Sequence, residues 1–407
     1  MDIKVTAPLA VRGEIRLPNS KSISNRVLLL NKLSKSKLIP ENIAVCDDSD
    51  MMRSALSTQS GIVNTGAAGT ATRFSLAYLS MLAGGEFQLT GSERMKKRPI
   101  KILVEALRKI GADIEYLEND GYLPLKIKGK ELQGGSIELS GSVSSQYISA
   151  LLMIAPCTQR GVELTLTGNI ISLPYIKMTM ALMSLYGAEP QMNGNKITIP
   201  SARYNPIPYK VEADWSAASY WYAFVSMAND ADVVLTGLDT NSIQGDSKVA
   251  SLFTPLGVAT EYNDGYVRLR KCNFVNKLYD VDLTDTPDLA QTLVVVAALK
   301  GVPFKISGLQ SLRIKETDRI YALVKEMQKL GFVLDDTKEG TLVWNGERCE
   351  KQSVIEIDTY DDHRMAMSFA VASYLYPQIT IKSSEVVTKS YPKFWADLSN
   401  VGFVIEQ

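Results

Sequence analysis

The sequence predicts an α/β protein of two domains, each built from three βαβαββ units. Three observations carry this: a glycine that recurs at a near-constant spacing, a set of unusually apolar helices that each follow a polar turn, and a length of 407 residues. A chain of that length exceeds one ordinary core, so it divides.

The recurring glycine marks the ends of amphipathic helices. ALRKIGADIEY, ALMSLYGAEPQM, LFTPLGVATEY, EMQKLGFVLDD and DLSNVGFVIEQ each read as helix, glycine, short apolar strand, with Gly111, Gly187, Gly257, Gly331 and Gly402 at the junctions. A helix often ends on a residue with positive φ, which a side chain makes costly, so glycine is expected there. Between these segments runs the second pattern. SKSISNRVLLL, AGTATRFSLAYLSML, SVSSQYISALLMIA, DWSAASYWYAFVSM, DTPDLAQTLVVVAAL and DDHRMAMSFAVASYL are rich in small and apolar residues on every face. A helix with no polar stripe is one buried on most sides. Strand-like runs such as YLPLKIKG and NKITIP complete each unit. The last unit is short of strands, and IKVTAP and GEIRLP near the start are expected to supply them. The domains are then 19–212, and 1–18 joined with 213–407, with the chain crossing near Pro18 and near Glu212 to Asp214.

Composition narrows the function. Apolar residues make up 45% and charged residues 22%, with 44 bases against 44 acids. That balance supplies no general basic surface, so neither nucleic acid nor membrane is expected as a partner, and any anion site must be local. No apolar run is long enough to span a bilayer, and Met1-Asp2-Ile3-Lys4 does not open a signal sequence, so a cytoplasmic protein is expected. Cys46, Cys157, Cys272 and Cys349 lie far apart and read as packed thiols. One histidine and no Cys or His cluster argue against a protein-held metal; no cofactor is expected.

The polar turns before the apolar helices hold the candidate chemistry. LPNSKSISNR offers Lys21, Ser22, Ser24 and Arg26 at a helix start, where unpaired N–H groups already favour phosphate or carboxylate. The same residues also suit a serine cap followed by solvated charge. TGAAGTATR, with Gly66, Gly69, Thr70 and Arg73, is neither a P-loop nor a dinucleotide fingerprint, and reads equally as a phosphate cradle or a close-packed turn. GSERMKKRPI gathers Arg94, Lys96, Lys97 and Arg98, of which one or two are expected to face a ligand. Ser144, Ser145 and Gln146 supply neutral donors suited to phosphate or hydroxyl groups, and read equally as simple capping. In RIKETDR, Lys315 and Arg319 share a helix face beside Glu316, an arrangement that serves an ion pair or a proton-transfer group. DDHRMAM holds His363, expected to be structural, and Arg364. Asp288 lies in TDTPDLAQT and Lys389 in VVTKSYP. A serine hydrolase and a kinase are disfavoured, since neither signature occurs.

Taken in order along almost the whole chain, SKSISNR, GAAGTATR, LTGSERMKKRPI, GSVSSQY, SLPY, TPDLAQT, RIKETDR, YDDHRMAM and TKSYP resemble the enolpyruvyl transferases, and within them the branch that acts on shikimate 3-phosphate. The resemblance implies an inside-out α/β barrel in each of two domains, with the active site in the cleft between them. It implies transfer of the enolpyruvyl group of phosphoenolpyruvate to the 5-hydroxyl of shikimate 3-phosphate, by a monomer with small-molecule substrates. By motif, Lys21, Ser22, Arg26, Ser144, Ser145, Gln146, Ser172, Tyr175, Asp288, Ser311 and Lys315 would meet shikimate 3-phosphate. Lys21, Gly69, Arg94, Gln146, Arg319, Arg364 and Lys389 would meet phosphoenolpyruvate. Asp288, Glu316, Lys21 and Lys389 are the implied catalytic groups, Glu316 for the carbon proton and Asp288 for the hydroxyl proton. The branch acting on UDP-N-acetylglucosamine carries a loop cysteine in the region of GSERMKKRPI, where this chain has none. A catalytically silent protein of the same fold would have lost the acids and lysines, which are all present. Ala67, Phe74, Asn19 and Ser311 depart from common family residues; Ala67 and Phe74 fall beside the implied phosphoenolpyruvate pocket and predict an altered response to glyphosate.

Overall fold

A computed structural model describes residues 1–274 and 277–407. The chain forms two compact units, one of Ser20–Val211 and one of Met1–Asn19 with Glu212–Gln407. Two strands, β1 (Ile3–Thr6) and β2 (Ala10–Arg16), precede the first unit and belong to the second.

The Ser20–Val211 unit contains α1 (Lys21–Leu33), α2 (Asp47–Ser57), β3 (Gly61–Asn64), α3 (Gly69–Ser80), β4 (Glu86–Thr90), α4 (Glu93–Lys96), α5 (Lys101–Lys109), β5 (Asp113–Tyr116) and β6 (Leu125–Lys128). It continues with β7 (Gly135–Ser140), α6 (Ser145–Ile154), β8 (Val162–Thr167), α7 (Leu173–Leu185), β9 (Gln191–Asn193) and β10 (Lys196–Ile199). Two open sheets result, ordered β3-β4-β6-β5 and β7-β8-β10-β9. In each the first two strands are parallel, joined by α3 or α6, and the remaining pairings are antiparallel. This is the βαβαββ unit. The remaining helices, α1 and α2, have only a vestige of a sheet beside them, the parallel bridge Glu41–Lys210. Pro40, Pro200, Pro206 and Pro208 explain the loss, because proline cannot donate to a strand ladder.

The other unit adds α8 (Trp215–Met227), β11 (Asp230–Thr236), α9 (Val249–Phe253), β12 (Val258–Asn263), β13 (Tyr266–Lys271), β14 (Tyr279–Asp282), α10 (Ala290–Leu299), β15 (Phe304–Ser307), α11 (Arg319–Lys329) and β16 (Leu342–Trp344). It ends with β17 (Glu356–Ile357), α12 (His363–Phe369), β18 (Ile379–Ile381), α13 (Phe394–Asn400) and β19 (Val404–Glu406). Its sheets run β12-β13-β11-β2, β14-β15-β16 and β17-β18-β1-β19. The two N-terminal strands therefore part company. β1 completes the last sheet as expected, pairing antiparallel with β18 and β19, whereas β2 runs parallel to β11 in another sheet. The pairing of β2 covers Ala10–Arg16 against Asp230–Thr236. Alternation in β2 buries Val11 and Ile15 in the same core as α8.

The apolar helices form the cores. Every residue of α10 and of α12 is buried, and all but two of α8. In this unit Phe224 of α8 packs edge-on to Phe403 at 5.0 Å, and Trp221 donates to the Tyr391 hydroxyl at 3.3 Å. The five periodic glycines all take positive φ, from 88° to 108°.

Candidate active site

In the Ser20–Val211 unit the starts of four helices meet. Arg26, in the second turn of α1, donates to Thr179 Oγ1 of α7 at 2.7 Å, Ser149 Oγ of α6 at 3.1 Å and the Tyr175 carbonyl at 3.5 Å. It also closes back on the Ser22 carbonyl at 2.9 Å. Gln146, in the first turn of α6, donates to Thr70 Oγ1 in the first turn of α3 at 3.0 Å. These bonds join first and second turns only, so the N-terminal ends of α1, α3, α6 and α7 share one end of the unit. Ser20 caps α1 and Ser144 caps α6, accepting from Ile23 N–H and Gln146 N–H.

Charge at this end is positive. Arg26 is buried, and burial lowers its pKa to about 10, so it stays charged at neutral pH. Its oxygen partners are hydroxyls and carbonyls; among the described residues no carboxylate pairs with it. A buried charge without a counter-ion is costly, and an anionic ligand relieves that cost. Lys21 differs, holding Asp48 of α2 at 2.9 Å. Gly69 opens α3 beside the Arg98 guanidinium, where a Cβ would lie 2.8 Å from Arg98 Nη1. Arg94 sits exposed on α4, whose cap residue Ser92 donates its N–H to the Gly66 carbonyl at 2.9 Å. Ser172 precedes α7 with φ 55° and ψ 36°. A left-handed serine is strained, and such strain gathers at functional sites. Phe74, one of the sequence departures, lies under Arg26 with its ring centre 5.4 Å from the guanidinium carbon.

In the other unit Arg319, the first residue of α11, links three acids. Its guanidinium meets Asp362 at 2.7 Å, Asp288 at 2.9 Å and Glu316 at 2.9 Å. Burial works against the charge on Arg319, but Asp362, Glu316 and Asp288 together outweigh it and raise its pKa. Asp288, in the 3-10 turn Pro287–Leu289, also meets Arg364 at 3.1 Å and Lys315 at 3.7 Å. Asp362 caps α12 by accepting the Arg364 N–H at 2.9 Å. Lys389, closing the turn Ser384–Lys389, donates to the Asp361 carbonyl. Tyr360 and Asp361 both take positive φ there, so Lys389 fastens the strained turn that presents Asp362 and Arg364. Ser311 lies half-buried in the turn Gln310–Ile314, just ahead of Lys315 and Glu316.

The comparisons with known proteins point one way. The family model of EPSP synthase (3-phosphoshikimate 1-carboxyvinyltransferase) matches residues 53–398. The chain belongs to the EPSP synthase family. A 3-phosphoshikimate 1-carboxyvinyltransferase of Bacteroides fragilis is 51% identical over 403 residues, covering 99% of this chain and 98% of the relative. One from Psychromonas ingrahamii is 37% identical over 433 residues, covering 98% and 100%. The solved EPSP synthase of Acinetobacter baumannii matches with a TM-score of 0.76 at 20% identity, covering all of both chains, and shares the fold.

Each sequence-derived site residue falls in one of the two units. Lys21, Ser22, Arg26, Gly69, Arg94, Ser144, Ser145, Gln146, Ser172 and Tyr175 lie at the helix starts of the Ser20–Val211 unit. Asp288, Ser311, Lys315, Glu316, Arg319, Arg364 and Lys389 lie in the other unit. His363 is buried beside Asp362, Nδ1 to Oδ1 3.8 Å. Sequence reasoning passed over Asp48, Asp362 and the Thr179–Ser149 pair that holds Arg26. Asp362 had a local signal, an acid at a helix cap two residues before Arg364. Asp48 had none, since its partner is 27 residues away. No helix among the described residues is long and apolar enough to cross a membrane.

Proposed function

We propose that the chain transfers the enolpyruvyl group of phosphoenolpyruvate to the 5-hydroxyl of shikimate 3-phosphate, releasing phosphate, and that the residues of both units serve this one reaction. The observation that carries the reading is Arg26, a buried cation with no acid partner among the described residues, set among caps and donors suited to anionic oxygens. Membership of the EPSP synthase family supplies the identity of the anions.

The chemistry assigns the rest. A proton is added to the methylene carbon of phosphoenolpyruvate, the hydroxyl oxygen bonds to C2, and the hydroxyl proton passes to a base. A proton then leaves the resulting methyl carbon, the C2–phosphate bond breaks, and the double bond returns. Glu316 carries the carbon proton in both directions, and Arg319 at 2.9 Å fixes its carboxylate. Asp288 takes the hydroxyl proton and returns it to the departing phosphate. Lys21 and Lys389 stabilise that phosphate, and Arg94, Arg319, Arg364 and Gln146 hold phosphoenolpyruvate with the Gly69 backbone. Lys21, Ser22, Arg26, Ser144, Ser145, Gln146, Ser172, Tyr175, Asp288, Ser311 and Lys315 hold shikimate 3-phosphate.

Phosphate release from phosphoenolpyruvate, followed with shikimate 3-phosphate and with UDP-N-acetylglucosamine as acceptors, tests the assignment. Release with the first acceptor alone is expected. Release with only the second, or with neither, overturns it.

A further inference from the structure

We infer that the Ser20–Val211 unit carries a second ligand site, for an aromatic organic anion, in a cavity at the C-terminal ends of α1, α2 and α3. The candidate active-site residues of this unit stand at helix starts, the opposite ends. The 13 residues of α1 put its two ends about 18 Å apart, so the cavity is a separate place. Nothing in this site depends on the proposed reaction.

The cavity has a volume of about 1150 Å³. A single inorganic ion would leave most of it unfilled, whereas pockets for drug-sized organic molecules run from about 300 to 1,000 Å³. Its walls are the last turns of α1, α2 and α3, the 3-10 turn Ala155–Cys157 after α6, and residues 201–204 after β10. That last segment is irregular, lying between Pro200 and Pro206. Lys32, Lys35, Arg53 and Arg203 line the cavity, and no acid lines it among the described residues. Arg53 is paired at 2.8 Å with Asp50, which is not part of the wall. Lys32, Lys35 and Arg203 have no acid partner among the described residues.

A cation in the last turn of a helix offsets the carbonyl end of the dipole, and Lys32 of α1 needs no further cause. Lys35 and Arg203 lie outside any helix. Lys35 holds φ at 54°, a left-handed backbone where glycine is usual after a helix and a side chain is strained. Such strain gathers at ligand sites. The hydroxyls of Ser34, Ser57, Thr158, Ser201 and Tyr204 are spent on backbone carbonyls. Tyr78 differs: it is 5% exposed, lines the cavity, and its hydroxyl makes no hydrogen bond among the described residues. Burial pushes Tyr78 up to about 12, so it is a neutral donor at neutral pH. A buried donor left unpaired is costly, and an anionic oxygen set against it relieves the cost. Leu28, Leu56, Met81 and Leu82 supply apolar wall beside the rings of Tyr78 and Tyr204. Unpaired cations, one free donor and an apolar wall suit an anionic group carried on a ring.

Titration calorimetry of the full chain with 1-naphthyl phosphate, with and without excess shikimate 3-phosphate, tests the site. A single equivalent is expected to bind in both cases, about tenfold or more tighter than inorganic phosphate or neutral 1-naphthol. Cys157 lines the cavity and reports where the probe sits. Burial pushes its thiol up to about 11, against the lowering effect of Lys35, so alkylation by iodoacetamide is slow enough to follow by mass spectrometry. Bound 1-naphthyl phosphate is expected to slow alkylation of Cys157 further and to leave Cys272, in the other unit, unchanged. Lys35→Gln combined with Arg203→Gln should raise the dissociation constant about tenfold. Tyr78→Phe, which keeps the ring and removes the hydroxyl, should raise it about threefold. No binding at about 1 mM probe, or equal binding of 1-naphthol, overturns the inference. So does loss of binding when shikimate 3-phosphate is added, binding that leaves Cys157 unprotected, or an unchanged dissociation constant in the Lys35 and Arg203 double variant.

Discussion

Glu316 and Asp288 both meet Arg319 at 2.9 Å, and Arg319 retains Asp362 at 2.7 Å if either is neutralised. This makes Glu316→Gln a clean substitution. The amide keeps the shape, Arg319 keeps two acid partners, and the carbon proton loses its carrier. Turnover is expected to fall by about 10²–10⁴-fold, the usual contribution of a positioned acid or base, with KM little changed. Near-normal turnover would remove Glu316 from proton transfer. Lys315, Glu316, Arg319 and Arg364 of this cluster were legible in the sequence because RIKETDR and DDHRMAM are dense in charge, while Asp362 was passed over. Their pairing was not legible. Whether Asp288 serves Arg319, Arg364 or Lys315 depends on bonds across 27 to 76 residues of chain, and no local pattern encodes those distances. Asp48 was missed for the same reason, since it is an ordinary acid until the fold sets it against Lys21.

At the scale of elements the glycine spacing was the most informative signal, because it reports a backbone requirement that no neighbour can supply. Gly331 follows α11 with φ +88°, and a Cβ there would lie 3.1 Å from the Cys349 carbonyl oxygen. Gly331→Ala therefore faces a left-handed cost of about 1–2 kcal/mol. The stiffer unfolded chain returns about 0.4–1 kcal/mol, and the close approach to Cys349 adds to the loss. A net destabilisation of about 1 kcal/mol is expected, read as a lower urea midpoint with unchanged slope; a midpoint at or above the original would contradict it. Gly265, with φ +77° and no atom near its missing Cβ, should lose less on the same change. The apolar helices were equally legible, and α10 and α12 are buried throughout. Strand partners were harder. The pattern of β2 says that Val11 and Ile15 face a core, but two sheets offered one, and only the pairing of Ala10–Arg16 with β11 decides between them. The reduced sheet beside α1 and α2 had a readable cause in its prolines, which a count of repeats passes over.

At the scale of the whole molecule, the route of the chain makes one unit an insertion in the other. β2 and β11 are parallel neighbours with α8 as their crossover, and the entire Ser20–Val211 unit is spliced into the connection between β2 and α8. The splice point is narrow. Asn19 bridges Ala213, and Asp214 N–H donates to the Pro18 carbonyl at 2.9 Å. Chain ends this close can be joined without disturbing the sheet they leave, which is the condition under which domain insertions and removals are tolerated. Replacing residues 20–211 by a short Gly/Ser linker between Asn19 and Glu212 should thus give a protein that keeps the sheets β12-β13-β11-β2, β14-β15-β16 and β17-β18-β1-β19 with their common core. It is expected to unfold in urea as one cooperative transition and to retain the Asp288–Arg319–Asp362 cluster. It should have no measurable turnover, because Lys21, Arg26, Arg94 and Gln146 are gone with the deleted unit. A broad, non-cooperative transition with strong binding of a hydrophobic dye would show that the core needs the inserted unit, and that the insertion is one of sequence but not of stability.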